Sequence, residues 1–233
     1  MKLIFKKTAI LLFFAIIATV AAFAQKESKF SVDAEADLVS SYVWRGMYQG
    51  GVNFQPALSF SVHGITLGTW GSTDMRAFAK EVDFYLSYEI GRFYVAVTDY
   101  WWMNEGESFF KERSGDFFEA SLVYSVSKKF PLSFGVNTMF RGDGDKNEKG
   151  EQLYSTYISA SYPFSVGNTD CEISIGISPW KGMYSDKFDV AAITAKASKN
   201  LKVTDNFSLP VSVELVLSPA QDNAYLVFGL KFR

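Results

Sequence analysis

Residues 81–90 read EVDFYLSYEI, and their side chains sort by parity. Val82, Phe84, Leu86, Tyr88 and Ile90 alternate with Glu81, Asp83, Tyr85, Ser87 and Glu89. A period of two is the mark of a β-strand with two unlike faces. The same separation runs through Phe30 to Leu38, Phe54 to Val62, Phe118 to Val126, Leu132 to Val136, Ile173 to Ile177 and Leu226 to Phe232. Less tidy stretches near 65–72, 93–102, 152–164, 188–199 and 207–218 bring the count to about twelve strands of roughly ten residues each. Strands of globular proteins mostly run to about five or six residues, whereas about ten are needed for a tilted strand to cross a bilayer. The expectation is all-β: a closed antiparallel transmembrane barrel with an up-and-down meander.

The connections alternate in length. Short turns are expected at His63-Gly64, Gly91-Arg92, 128–131, 166–169 and 200–206, and longer segments such as 103–116 and 142–151 lie between them. Short turns on one rim and long loops on the other are the outer-membrane pattern, with both chain ends on the periplasmic side. The six prolines fall at or near expected strand ends, as the missing N–H requires. Trp44, Trp70, Trp101, Trp102 and Trp180 fall at the outer ends and are expected to form an aromatic belt there. Tyr88, Phe93, Tyr124, Phe130, Tyr162, Phe164, Phe207 and Phe232 gather at the opposite ends.

Address and charge narrow the class. Lys2, Lys6 and Lys7 precede an apolar run from Thr8 to Val20 that ends in Ala22-Phe23-Ala24, so residues 1–24 read as a cleaved secretory signal and 25–233 as one barrel domain. Taking the three signal lysines from 23 bases leaves 20 against 25 acids, an excess too acidic for nucleic-acid binding. With Cys171 alone there is no disulfide framework and no C-x-x-C pattern. The expected address is the bacterial outer membrane, with lipid, the barrel-insertion machinery and small hydrophilic solutes as partners and with no cofactor.

Parity assigns Asp33, Glu35, Asp37, Glu81, Asp83, Glu89, Glu119, Glu172 and Glu214 to the lumen, opposed by Arg45, Arg141, Lys196 and Lys231. An acidic wall favours cations over anions in a pore. Two arrangements stay open: a water-filled lumen, or a narrow one filled by side chains or an inward-folded loop. Asp99 shares parity with the lipid-facing Phe93, Val95 and Val97, so either a bulge turns it inward or it stands above the hydrocarbon.

Three further features point to chemistry only weakly. Asp143, Asp145 and Asn147 open like a calcium loop, but Glu148 stands where glycine is required and Tyr154 where the bidentate acid belongs, so no metal site is expected. His63, the one histidine, is expected in a tight periplasmic turn, a poor place for the base of a Ser-His hydrolase at the outer leaflet. Gly46, Gly50 and Gly51 in RGMYQGG lack the strand-to-helix context of a phosphate loop and read as a flexible outer loop.

The stretches LVSSYVWRGMYQGGVNFQPALSFS, LGTWGS, EVDFYLSYEI, VAVTDYWW, FFEASLVY and KASKNLKVTDNFSLPVS resemble the TorF-like porin family of outer-membrane proteins. The more distinctive parts are Ser41 to Gly46 and Thr98 to Tyr100, and Arg233 after the terminal aromatic Phe232 is a departure. The resemblance implies a porin-like barrel and carries over no catalytic residues. The expected function is passive diffusion of small hydrophilic solutes, with an outer-membrane lipid-modifying enzyme or a non-conducting surface-binding barrel as the alternatives.

Overall fold

The computed structural model describes residues 30–76, 80–103, 116–205 and 207–233. The proposed signal segment 1–24 lies outside them. Among the described residues fourteen strands follow one another: β1 (Ser31–Val39), β2 (Tyr42–Trp44), β3 (Met47–Gly50), β4 (Asn53–Val62), β5 (Ile65–Asp74), β6 (Lys80–Ile90) and β7 (Phe93–Met103) form the first half. β8 (Asp116–Ser125), β9 (Ser133–Gly142), β10 (Thr156–Val166), β11 (Thr169–Ser178), β12 (Asp189–Lys202), β13 (Ser208–Ser218) and β14 (Asn223–Phe232) form the second. Twelve of them make one closed antiparallel barrel, and β2 and β3 make a separate hairpin.

Every wall strand pairs with its sequence neighbour in the wall. β1 closes the circuit, pairing with β4 from Ser31↔Ser61 to Val39↔Asn53 and with β14 from Ala36↔Phe232 to Val39↔Gly229. The short turns gather at one rim. At the β4–β5 turn His63 (φ +50°) and Gly64 (φ +83°) are both left-handed, the geometry that matches the twist of a two-residue hairpin.

The prolines sit where the ladder does not need them. The β4–β5 ladder skips from Phe54↔Thr73 to Ala57↔Trp70 around Pro56. The β9–β10 ladder stops at Ser161↔Ser133, short of Pro163, and the β13–β14 ladder begins at Val211, just past Pro210.

Polarity is inverted relative to a soluble protein. Leu86, Phe134, Ile173, Leu226 and Phe228 are exposed on the outside, while Asn53, Ser72, Glu81, Asp83 and Glu119 are enclosed within. Tyrosines fill space beside inward glycines: a Cβ on Gly68 would strike the ring of Tyr85 across the β5–β6 ladder, and one on Gly176 would strike Tyr157. Among the described residues no helix is long and apolar enough to cross a membrane. An apolar outer band on ten-residue strands is the surface that hydrocarbon covers.

Two elements depart from expectation. The RGMYQGG segment is an ordered hairpin rather than a flexible loop. β10 starts at Thr156 rather than near 152, because Asp145 holds the preceding segment by accepting hydrogen bonds from Gln152 Nε2 (2.5 Å), Ser155 N (3.2 Å) and Ser155 Oγ.

Leu86, opposite Leu67 and Val97 on the outer face, tests the inversion. Leu86→Arg is expected to cost about 2–4 kcal/mol in a reversible unfolding titration in lipid vesicles, the cost of a charge near the bilayer midplane. A near-neutral effect would mean that water, not lipid, covers this face.

Candidate functional site

The β2–β3 hairpin is part of the 40–52 connection, whose two ends meet at the Val39↔Asn53 pair on the long-loop rim. Arg45 (φ +51°) and Gly46 (φ +85°) form its two-residue tip, closed by the Trp44↔Met47 pair. The tip points inward. A Cβ on Gly46 would collide with the backbone oxygen of Ala191 and with Ser218 Oγ, so glycine is needed both for the left-handed turn and for the seat on β12 and β13.

Arg45 reaches the wall on the far side of the barrel. Its Nη1 and Nη2 donate to the two carboxylate oxygens of Glu119 on β8 at 2.5 and 2.9 Å, a bidentate fork. In the barrel order β8 lies five strands from β1 in a ring of twelve, so the ion pair spans the lumen.

The pair is hydrogen-bonded on every side. Tyr100 Oη and Ser121 Oγ donate to Glu119 Oε1 at 3.1 and 3.2 Å, and Arg45 Nη1 also donates to Tyr184 Oη at 2.5 Å. Trp44, Tyr157 and Tyr184 surround the guanidinium, with ring centroids 4.5, 5.0 and 5.7 Å away.

Tyr184 comes from the β11–β12 connection, which Met183 N pins by donating to Ser155 Oγ at 2.7 Å and Gln221 Nε2 by donating to Tyr184 O at 3.2 Å. Burial, above all, holds the Tyr184 hydroxyl well above its ordinary pKa, so it stays protonated while accepting from Arg45. At the hairpin base, Gly51 N donates to Asp74 Oδ2 at 2.6 Å and Asn53 Nδ2 donates to Gly51 O at 3.0 Å.

The hairpin borders two spaces. A cavity of about 470 Å³ extends toward the short-turn rim, bounded by Tyr42, Gln55, Asp37, Lys196, Glu214 and Lys231. A smaller one of about 200 Å³ lies at the long-loop end between Tyr42, Gln49, Glu81 and Trp102. Two larger hollows, about 610 and 550 Å³, are lined by outward rows that include Leu38 with Phe228 and Ile175 with Leu215, and belong to the apolar exterior.

The wall charges fall into sets. Lys231 Nζ is 2.8 Å from Glu35 and 3.4 Å from Asp37, and Arg233 Nε is 3.2 Å from Glu35. Lys196, 3.9 Å from Glu214, also stands directly opposite Glu172 in the ladder. Asp33 shares the parity of Glu35, and Glu89 lies exposed beside the β6–β7 turn on the parity of Glu81 and Asp83.

Arg141 is placed differently from its expected lumen position. A β-bulge shifts the β8–β9 register between Glu119↔Met139 and Phe118↔Arg141, so Phe140 and Arg141 both face outward. The Arg141 guanidinium lies 5.6 Å from the ring centroid of the outward Phe118. Asp99 pairs with Phe84 and Phe118 in unbroken ladders and therefore stays on the outer face.

The tryptophans do not form a single outer belt. Trp70 lies opposite Asp83 and Trp102 opposite Glu81, on the inward parity, and Trp44 belongs to the hairpin. Trp44 packs on Trp102, Tyr100 and Tyr184 with centroids 5.6, 5.5 and 5.7 Å apart. Trp101 has the outward parity, opposite Val82, and Trp180 lies exposed in the β11–β12 connection, its Nε1 donating to Tyr154 O at 3.1 Å.

Among the described residues no group of three acids, histidines or cysteines is arranged to hold a metal. In the 143–151 segment Lys146 lies 2.6 Å from Asp143 and holds its carboxyl below the ordinary range, and Asn147 Nδ2 donates to Glu151 at 2.8 Å. His63 lies in the β4–β5 turn at the short-turn rim.

The chain matches no protein-family model. It matches no curated protein sequence. Among solved structures it resembles the KdgM porin, with 10% identity over 88% of this chain and 98% of that one and a TM-score of 0.50. A mutant of the Rhodopseudomonas blastica porin is similar at 11% identity over 86% of this chain and 73% of that one, with a TM-score of 0.40. At such identities the likeness to KdgM is one of fold.

Removing the arginine would strand a carboxylate that is 1% exposed. Arg45→Ala is expected to lose about 3–5 kcal/mol of hairpin docking, as when one partner of a buried pair is deleted. Hydrogen exchange should then accelerate across 42–50 while β12 and β13 remain protected. Unchanged exchange in the hairpin would show that its aromatic seat, not the ion pair, holds it.

Proposed function

We propose that this chain is a porin-like outer-membrane channel of the TorF-like kind, passing small hydrophilic solutes through a lumen that the β2–β3 hairpin narrows. One observation carries the reading: a closed wall, apolar outside and ionic inside, has a loop fastened across its interior to the opposite wall. Lipid demands the first property, since every backbone polar group must be paired and the outer face must be apolar. The second suits solutes that carry their own water or charge. The KdgM porin, whose fold this chain resembles, favours the same reading.

The reading includes a preference for cations. The acids of the inward parity, Asp33, Glu35, Asp37, Glu81, Asp83, Glu89, Glu119, Glu172 and Glu214, outnumber the bases that meet them, Arg45, Lys196, Lys231 and Arg233. The unbalanced sign repels anions and concentrates cations where water is scarce.

Planar bilayers containing the refolded protein are expected to show small discrete conductance steps with a reversal potential favouring cations. Glu81→Gln with Asp83→Asn should move the reversal potential toward zero, and Arg45→Ala should enlarge the steps by freeing the hairpin. Absence of both conductance and solute flux into vesicles would overturn the channel reading.

A further inference from the structure

The carboxylates of Glu81 and Asp83 are enclosed charges of the wall that the hairpin clamp does not use. They sit two residues apart on the inward face of β6, 3% and 6% exposed. Glu81 Oε1 and Asp83 Oδ1 have no hydrogen-bond partner among the described residues. Glu119, only two strands away, shows the contrast: its oxygens are occupied by Arg45, Tyr100 and Ser121. Two neighbouring carboxylates withdrawn from water call for a positive counter-charge, for hydrogen-bond donors or for a proton shared between them.

The surroundings indicate what kind of cation suits them. In the ladders Trp70 and Tyr100 stand on either side of Asp83, and Trp102 stands opposite Glu81. The hairpin adds Tyr42, its ring centroid 5.5 Å from that of Trp70, and Tyr100 stacks on Trp102 at 5.7 Å. Tyr42, Trp102 and Asp83 all stand beside Glu81, yet none reaches Oε1 at hydrogen-bonding geometry.

Glu81, Tyr42 and Trp102 also line the 200 Å³ cavity at the long-loop end, whereas Asp83 and Trp70 lie behind that lining. Lys80 lines that space too, from the opposite parity of β6. A strongly hydrated metal ion wants a shell of oxygens, and no metal-holding group of three such side chains is present among the described residues. Aromatic faces beside carboxylates suit an alkylammonium instead, whose N–H groups donate to the acids and whose carbons lie against the rings.

We propose that Glu81, with Tyr42 and Trp102 beside it and the Asp83 carboxylate behind it, forms a binding site for small primary ammonium compounds at the outer end of the lumen. The site deepens the cation-preferring channel reading by assigning a solute class, and it rests on that reading for its biological use. Binding itself does not require conduction.

The full chain, refolded in detergent micelles at neutral pH, would be titrated with n-butylammonium chloride, followed by tryptophan fluorescence and calorimetry. Saturable binding is expected for the ammonium and not for n-butanol, its uncharged counterpart. Glu81→Gln with Asp83→Asn is expected to weaken it about tenfold or more, the loss of charge-assisted hydrogen bonds.

No saturable signal with wild-type protein, equal binding of n-butanol, or unchanged affinity in the double variant would overturn the site. Displacement of the ammonium by a lower concentration of calcium chloride would also overturn it, by assigning the pair to a metal. Should the double variant fail to refold, the ammonium and butanol comparison on the wild type still decides. A micelle titration that fails while bilayers conduct sinks only the site, and the reverse result sinks only the channel.

Discussion

The double pairing of β1, with β4 on one side and β14 on the other, is the constraint on which the rest depends. Hydrocarbon against so apolar an outer face leaves no water along the wall to take up stray N–H and C=O groups. An open β1 or β14 would expose a row of them, and every other pairing would be attached to an unstable edge. Closure fixes the alternation as well. Once the ring is shut, each residue has an assigned side, and a change of side requires a bulge.

The interior is a second, smaller folding problem. Twelve strands enclose a space that their own side chains do not fill, and the hairpin supplies the missing bulk. Its anchoring ion pair is nearly dry, with side-chain exposures of 13% and 1%, so desolvation opposes the attraction of the charges. The bidentate geometry, Tyr100, Ser121 and Tyr184, and the aromatic rings around the guanidinium offset that cost. The same features fix one docked position, because a guanidinium displaced by an ångström loses several partners together.

Much of the wall was legible in parity. Strand number, the closing strand, the turn rim and the inward side of Glu35, Asp37, Glu81, Asp83, Glu119 and Glu214 follow from alternation, because a lipid-facing row tolerates little but apolar side chains. Arg141 escaped because one extra residue at Phe140 flips the count, and nothing in MFRG marks a bulge. Trp102 was within reach: the rule that sends Val95 and Val97 outward sends residue 102 inward. Height along the strand and side of the wall are independent coordinates, and only parity reports the side. Trp70 lies in a strand broken by Gly68 and Gly71, where alternation is faint. The hairpin was hidden for a different reason. Its seat is made by Ala191 and Ser218, far along the chain, and no local pattern reports a contact made across a barrel.

The hairpin's two ends leave the wall together, at Val39 and Asn53, which are partners in the same ladder. Nothing in the wall has to break for the tip to withdraw. The short tether keeps a released tip at a high effective concentration near Glu119, because closing a small loop whose ends are already joined costs little entropy. Docking is therefore a unimolecular event within a finished barrel, set apart from the cooperative closure of the ring. The wall and its obstruction have separate stabilities, and the second can be tuned without endangering the first.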